Sequence, residues 1–113
     1  MKRDLNVYLS DILESIVLIE GYTKGVSEDK YCTNQQLQDS VVRRLEIIGE
    51  AVKQIDDDFR SKHPEVPWKK IAGLRDVLIH EYFGVNPFRV WAALQNDLPQ
   101  LKKEISAIIT KIK

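Results

Sequence analysis

A chain of 113 residues, 43% hydrophobic and 30% charged, has the length and balance of one folded domain over residues 1–113, and it is too apolar to be disordered. Seventeen basic and seventeen acidic side chains leave no net charge, which excludes a strongly basic nucleic-acid binder but leaves room for a local basic patch. A single cysteine, Cys32, excludes an intrachain disulfide and fits a reducing cytoplasm; with two histidines it is too small a set for a structural zinc site, so no metal and no cofactor is expected.

The opening Met1-Lys2-Arg3-Asp4 meets charge again at Asp11 and Glu14, so no signal peptide is expected. No apolar run approaches the roughly 20 residues of a membrane span. Leu5, Leu9, Ile12, Ile16 and Ile19 recur in steps of three and four and predict a first amphipathic helix, capped by Asp4 and ending near Gly21 and Gly25. Ser27 to Tyr31 reads as a short turn of helix. A second helix is predicted from Thr33, whose spacing to Gln36 has the form of a capping box. Leu37, Val41, Leu45, Ile48, Val52, Ile55 and Phe59 carry its stripe. Asp56, Asp57 and Asp58 then fall at its C-terminal end, where the helix dipole disfavours anions, and read as a solvated acidic stop rather than a metal site.

Pro64 and Pro67 make 61–66 a loop. Pro67 suits the first position of a third helix, with Trp68, Ile71, Leu74, Leu78 and Tyr82 on its stripe and Gly84 at its end. Asn86-Pro87 repeats that start signal for a fourth segment carrying Trp91, Leu94, Leu98, Leu101, Ile105, Ile108 and Ile112. Pro99 removes a backbone bond within it, so a kink or a restart capped by Asp97 is expected. Four amphipathic segments with short connections and no strand pattern predict an all-α fold. Its architecture is an antiparallel up-and-down four-helix bundle with a kinked last helix, and its two long helices span about 35–40 Å at 1.5 Å per residue.

The third helix carries the chemistry. With Ile71 at zero on a wheel of about 100° per residue, Leu74, Leu78 and Tyr82 cluster on the core stripe, Arg75 lies at its edge and His80 falls on the far side. Asp76 stands four residues before His80 and shares its face, so its carboxylate can orient the imidazole and raise its pKa. A histidine in the last turn of a helix is also favoured by the dipole alone, and an arginine at a stripe edge is often only paired. Arg75 and His80 diverge by roughly 140° on a straight helix. They converge if the helix end distorts, if the arginine reaches around, or if a second chain supplies part of the site.

Arg75-x-x-x-x-His80-x-Tyr82 resembles the R-x4-H-x-Y signature of HepT-like toxins of the HEPN superfamily. Arg44-Leu45-Glu46-Ile47-Ile48-Gly49-Glu50-Ala51, Pro67-Trp68 and Asn96-Asp97-Leu98-Pro99 are similar to the family's flanking segments, and the resemblance covers essentially the whole chain. It implies a HEPN-like helical bundle that dimerises through the third-helix region. Two Arg75/His80 pairs would then face one cleft and cut RNA without metal, with Asp76 in support. The partner it implies is a minimal nucleotidyltransferase antitoxin of the MntA kind, which transfers AMP from ATP to Tyr82.

Two other readings stand beside the nuclease: a HEPN subunit that docks a nucleotidyltransferase without cutting RNA, and a plain helical dimerisation domain. Glu46 and Glu50 share a face at spacing four, either near the site or merely solvated or arginine-paired. His63 before Pro64 reads as a surface residue, Trp68 and Trp91 as core or dimer packing, and Cys32 as inert. Tyr22 and Tyr31 have no assigned role. Arg43-Arg44, Lys69-Lys70 and Lys102-Lys103 either guide RNA or belong to ordinary solvated surface.

Overall fold

A computed structural model describes residues 4–73 and 86–112. Among the described residues every regular element is a helix. Helix α1 (Leu5–Thr23) starts where the Asp4 carboxylate accepts from the Asn6 N–H at 2.9 Å. Gly21 does not stop it. The Thr23 hydroxyl turns back onto the Ile19 carbonyl at 2.8 Å, and Gly25, at a left-handed φ of 73°, lets the chain turn away.

Helix α2 (Glu28–Thr33) is capped by Ser27, whose hydroxyl accepts from the Lys30 N–H at 3.2 Å. The expected capping box at Thr33 does not form, because the Thr33 hydroxyl donates back to the Asp29 carbonyl at 2.9 Å. Asn34 caps α3 (Gln35–Gln54) instead, accepting from the Leu37 N–H at 3.0 Å, while its own N–H closes α2 on the Tyr31 carbonyl.

The second helix also ends earlier than its periodicity predicts. Ile55 is extended, and a separate helix α4 (Asp57–Lys62) begins after it, with the Asp56 carboxylate accepting from the Phe59 N–H at 2.8 Å. The three aspartates therefore open a helix, at the end of the dipole that favours anions. Phe59 keeps the spacing of the α3 stripe across the break, which is why periodicity alone runs the two helices together. Arg60 folds back over the joint, with Nε donating to the Ile55 carbonyl at 2.9 Å and a terminal nitrogen to the Val52 carbonyl at 2.6 Å. Those carbonyls lie at the end of α3, where intrahelical donors run out.

The loop is accordingly 63–67, and residues 68–73 are helical (α5). Pro67 stands one position ahead of the first helical residue, and its carbonyl accepts from the Ile71 N–H at 3.1 Å. Leu74, Leu78, Tyr82 and Gly84 lie outside the described residues. Helix α6 (Pro87–Asn96) has the expected start, the Asn86 side chain accepting from the Phe88 N–H at 2.9 Å with proline at the first position. The last segment restarts rather than kinks. The Asp97 N–H reaches the Ala93 carbonyl at 2.8 Å, and the Asp97 carbonyl receives the Leu101 N–H at 3.1 Å, so α7 (Leu98–Ile112) follows at once. Pro99 sits in its first turn, where no N–H is needed.

Neither long segment reaches its expected length as one helix: the 20 residues of α3 span about 30 Å because the chain breaks at Ile55, and the last segment is divided into the 10 residues of α6 and the 15 of α7. Helix α1 packs between α3 and α7, and α6 packs on α7 and α2. The Glu20 carboxylate meets Lys102 Nζ at 2.8 Å, tying the end of α1 to the first half of α7, so these two helices run antiparallel. Leu9, Ile12, Ile16 and Ile19 of α1 are fully buried with Val41 and Val52 of α3 and Ile105 of α7. Each such side chain stabilises the fold by about 1.5–3 kcal/mol through area removed from water. Val90 rather than Trp91 enters the core from α6, and Ile112, expected on the stripe, is exposed. No helix among the described residues is long and apolar enough to cross a membrane.

Candidate functional site

Arg75, Asp76, His80 and Tyr82 lie outside the described residues, so the site is approached from the elements on either side of residues 74–85. On the upstream side, α4, the 63–67 loop and α5 form one aromatic knot. The Trp68 indole N–H donates to the His63 carbonyl at 2.9 Å, and the Phe59 ring meets His63 at 4.6 Å and Trp68 edge-on at 6.3 Å between centroids. Val66, Trp68 and Ile71 are buried. Helix α5 therefore enters residue 74 from a backbone pinned by packing.

His63 is the correction in this knot. It was expected on the surface, but it is half-buried against Phe59, with Nδ1 3.5 Å from a Glu65 carboxylate oxygen. Its burial follows from its place at the C-terminal end of α4, a helix that the stripe of α3 concealed.

On the downstream side, the Asn86 cap fixes the start of α6, and Trp91 anchors it to α2. The Trp91 ring lies 5.3 Å from the Tyr31 ring at a tilt of 36°. Tyr31 itself is only 1% exposed, and burial, with a smaller contribution from Cys32, pushes its hydroxyl up to about 12. Cys32 is raised as well, by partial desolvation and then by the Glu28 and Asp29 carboxylates, which keeps it a thiol and agrees with the inert reading.

On α3, Glu46 lies 3.8 Å from Arg43, the arginine-paired alternative, and Glu50 accepts from the Gln54 amide at 3.4 Å. Arg44 is half-buried and makes no ion pair among the described residues. Lys69 and Lys70 are exposed in the first turn of α5. Lys102 is engaged by Glu20, leaving Lys103 as the exposed member of that pair. Among the described residues no group of three or more histidine, cysteine or carboxylate side chains is placed to hold a metal ion.

Three features escape a reading by stripe. Arg60 closes α3 from the next helix, Tyr31 is among the most buried side chains, and Phe88 is 52% exposed. Phe88 had a visible signal, because it falls off the Val90, Leu94, Leu98 and Leu101 row.

The chain matches the family described as HepT-like, ribonuclease HepT-like, over residues 12–108. It is 48% identical over 112 residues to a "gamma-glutamylcyclotransferase and putative RNase" of Methanocaldococcus jannaschii, covering 99% of this chain and 50% of that protein. It is 43% identical over 107 residues to a "putative RNase" of the same organism, covering 95% of this chain and 98% of that protein. A "probable ribonuclease HepT" of Thermococcus cleftensis is 46% identical over 102 residues, covering 90% and 93%. The chain thus spans about half the length of the first relative and nearly all of the other two. No solved structure matches it.

Proposed function

The chain belongs to the ribonuclease HepT-like family, and from that premise we propose that it is a metal-independent RNA endonuclease, the toxin of a toxin–antitoxin pair acting in the cytoplasm. The observation that carries the reading is the family match over residues 12–108, a span that takes in Arg75 to Tyr82 together with Arg44–Ala51 and Pro67-Trp68.

The residue types suit cleavage by the RNA's own ribose. One His80 takes the proton of the 2′-hydroxyl as that oxygen attacks the adjacent phosphorus. The bond from phosphorus to the 5′-oxygen breaks, and the partner's His80 returns a proton to the leaving oxygen. The ends are a 2′,3′-cyclic phosphate and a 5′-hydroxyl, and no metal enters the balance. Arg75 holds the phosphate oxygens through its planar fork and stabilises the charge that builds there. Asp76, one turn before His80, orients the imidazole. A homodimer answers the divergence of Arg75 and His80 on one helix, because each chain completes the other's site. Tyr82 is the acceptor through which an MntA-like nucleotidyltransferase antitoxin silences the cleft: its phenol oxygen loses its proton and attacks the α-phosphorus of ATP, pyrophosphate leaves, and the phosphate of the attached AMP occupies the place of the RNA phosphate beside Arg75.

The test is cleavage of a single-stranded RNA in EDTA with analysis of the ends. Wild type is expected to leave 2′,3′-cyclic phosphates, and His80→Ala to lower the rate by roughly 100-fold or more. Full activity in His80→Ala, or a requirement for magnesium, overturns the mechanism.

A further inference from the structure

Phe88 is a large apolar side chain held out in water at a built position. It occupies the second residue of α6, after a proline that fixes the backbone and with its own N–H bound to the Asn86 side chain at 2.9 Å. Trp91 stands three residues on, a neighbour on the helix surface, and the buried Tyr31 ring 5.3 Å away backs it from behind. Exposed Ala92 extends the same face without adding bulk. The result is an aromatic strip that is buried at Tyr31, half-exposed at Trp91 and open at Phe88. Arg89, exposed beside it, is the one charged residue of α6 and makes no ion pair among the described residues.

A large ring held out in water, one position from an exposed guanidinium that makes no ion pair among the described residues, is a combination that suits a single-stranded nucleotide, base on the ring and phosphate on the cation. We propose that α6 presents a stacking platform for an unpaired RNA base, with the Phe88 ring against the base and Arg89 on the adjoining phosphate. This rests on the ribonuclease reading above and deepens it. The platform adds a subsite for one unpaired nucleotide, so the substrate it favours is single-stranded.

Charge contributes little. Helix α2, which packs against α6, exposes Glu28, Asp29 and Lys30, and with Arg89 these cancel. Affinity at this face therefore comes from stacking, and its salt dependence is that of about one phosphate contact, a slope near −0.7 for a single strand.

The probe is a fluorescent twelve-nucleotide oligouridine with 2′-O-methyl riboses, which cannot be cut, followed by anisotropy at several salt concentrations. Phe88→Ala is expected to weaken binding by roughly 5- to 100-fold, and Phe88→Tyr, which keeps the ring, to restore it. Arg89→Gln is expected to shed about 0.7 from the salt slope. A 2′-O-methyl duplex of equal length is expected to bind more weakly than the single strand. The platform is overturned if Phe88→Ala binds as wild type does, or if duplex and single strand bind alike. It is also overturned if Phe88→Ala keeps its affinity and instead halves the mass in light scattering, which assigns the face to a second copy. Wild type that cuts and binds RNA while Phe88→Ala is unchanged removes the platform alone. Wild type that neither cuts nor binds RNA removes the ribonuclease reading with it.

Discussion

Tyr31 carries the clearest charge effect of any single residue described. Its phenol ionises near 10 in an unfolded chain and only near 12 when buried between α2, α3 and α6. Between those values the unfolded state loses its proton first, so ionisation pulls the equilibrium toward unfolding. The stabilisation of the neutral buried form is complete below pH 10 and fades as pH rises through 12, on the order of 2 kcal/mol in all. Urea unfolding at pH 9 and pH 11.5 is expected to show that loss, and Tyr31→Phe to remove the part due to this residue. Nothing in the local sequence flags Tyr31 as core, since it sits in a six-residue helix too short to display a stripe. Its burial comes from Trp91, sixty positions away. Arg75, Asp76, His80 and Tyr82, by contrast, stand out in the sequence because an R-x4-H-x-Y pattern is local, and it is the resemblance to a family signature rather than spacing alone that singles them out. They lie outside the described residues.

At the scale of elements, capping decides what periodicity cannot. The apolar rows of α1, α3 and α7 were legible in their interiors, since steps of three and four survive any detail of the helix ends, and they failed only at the ends, where Ile112 is exposed and Phe59 belongs to α4. The ends themselves depend on single hydrogen bonds. Thr33 and Asn34 both have capping chemistry, and the choice fell to Asn34 because α2 already holds the threonine hydroxyl. At Asp56 the same local choice inverts the meaning of a whole acidic run. Asp56→Ala is expected to lower stability by about 1 kcal/mol through loss of the α4 cap, read as a shift of the urea midpoint. Were the aspartates the C-terminal stop of α3, removing a carboxylate from that end of the dipole would raise stability, so the sign of the shift separates the two arrangements.

For the whole molecule, the proposed cleft requires two chains, and light scattering at micromolar concentration is expected to give twice the 13.1 kDa of the chain. A 13 kDa particle would leave each Arg75/His80 pair without its counterpart. The bundle itself closes late in the sequence. Helix α1 lies between α3 and α7, and its tie to α7 joins Glu20 to Lys102, positions 82 residues apart. On a ribosome, α1 and α3 can meet as soon as both have emerged, but the other flank of α1 stays wet until Ile105 and Ile108 arrive. Chain growth at about 5–20 residues per second leaves that apolar flank uncovered for seconds after residues 74–85 have been made. A nascent chain that has reached residue 85 therefore has half a core, and on the proposed reading its nuclease cleft is not assembled while it is still tethered to the RNA that encodes it.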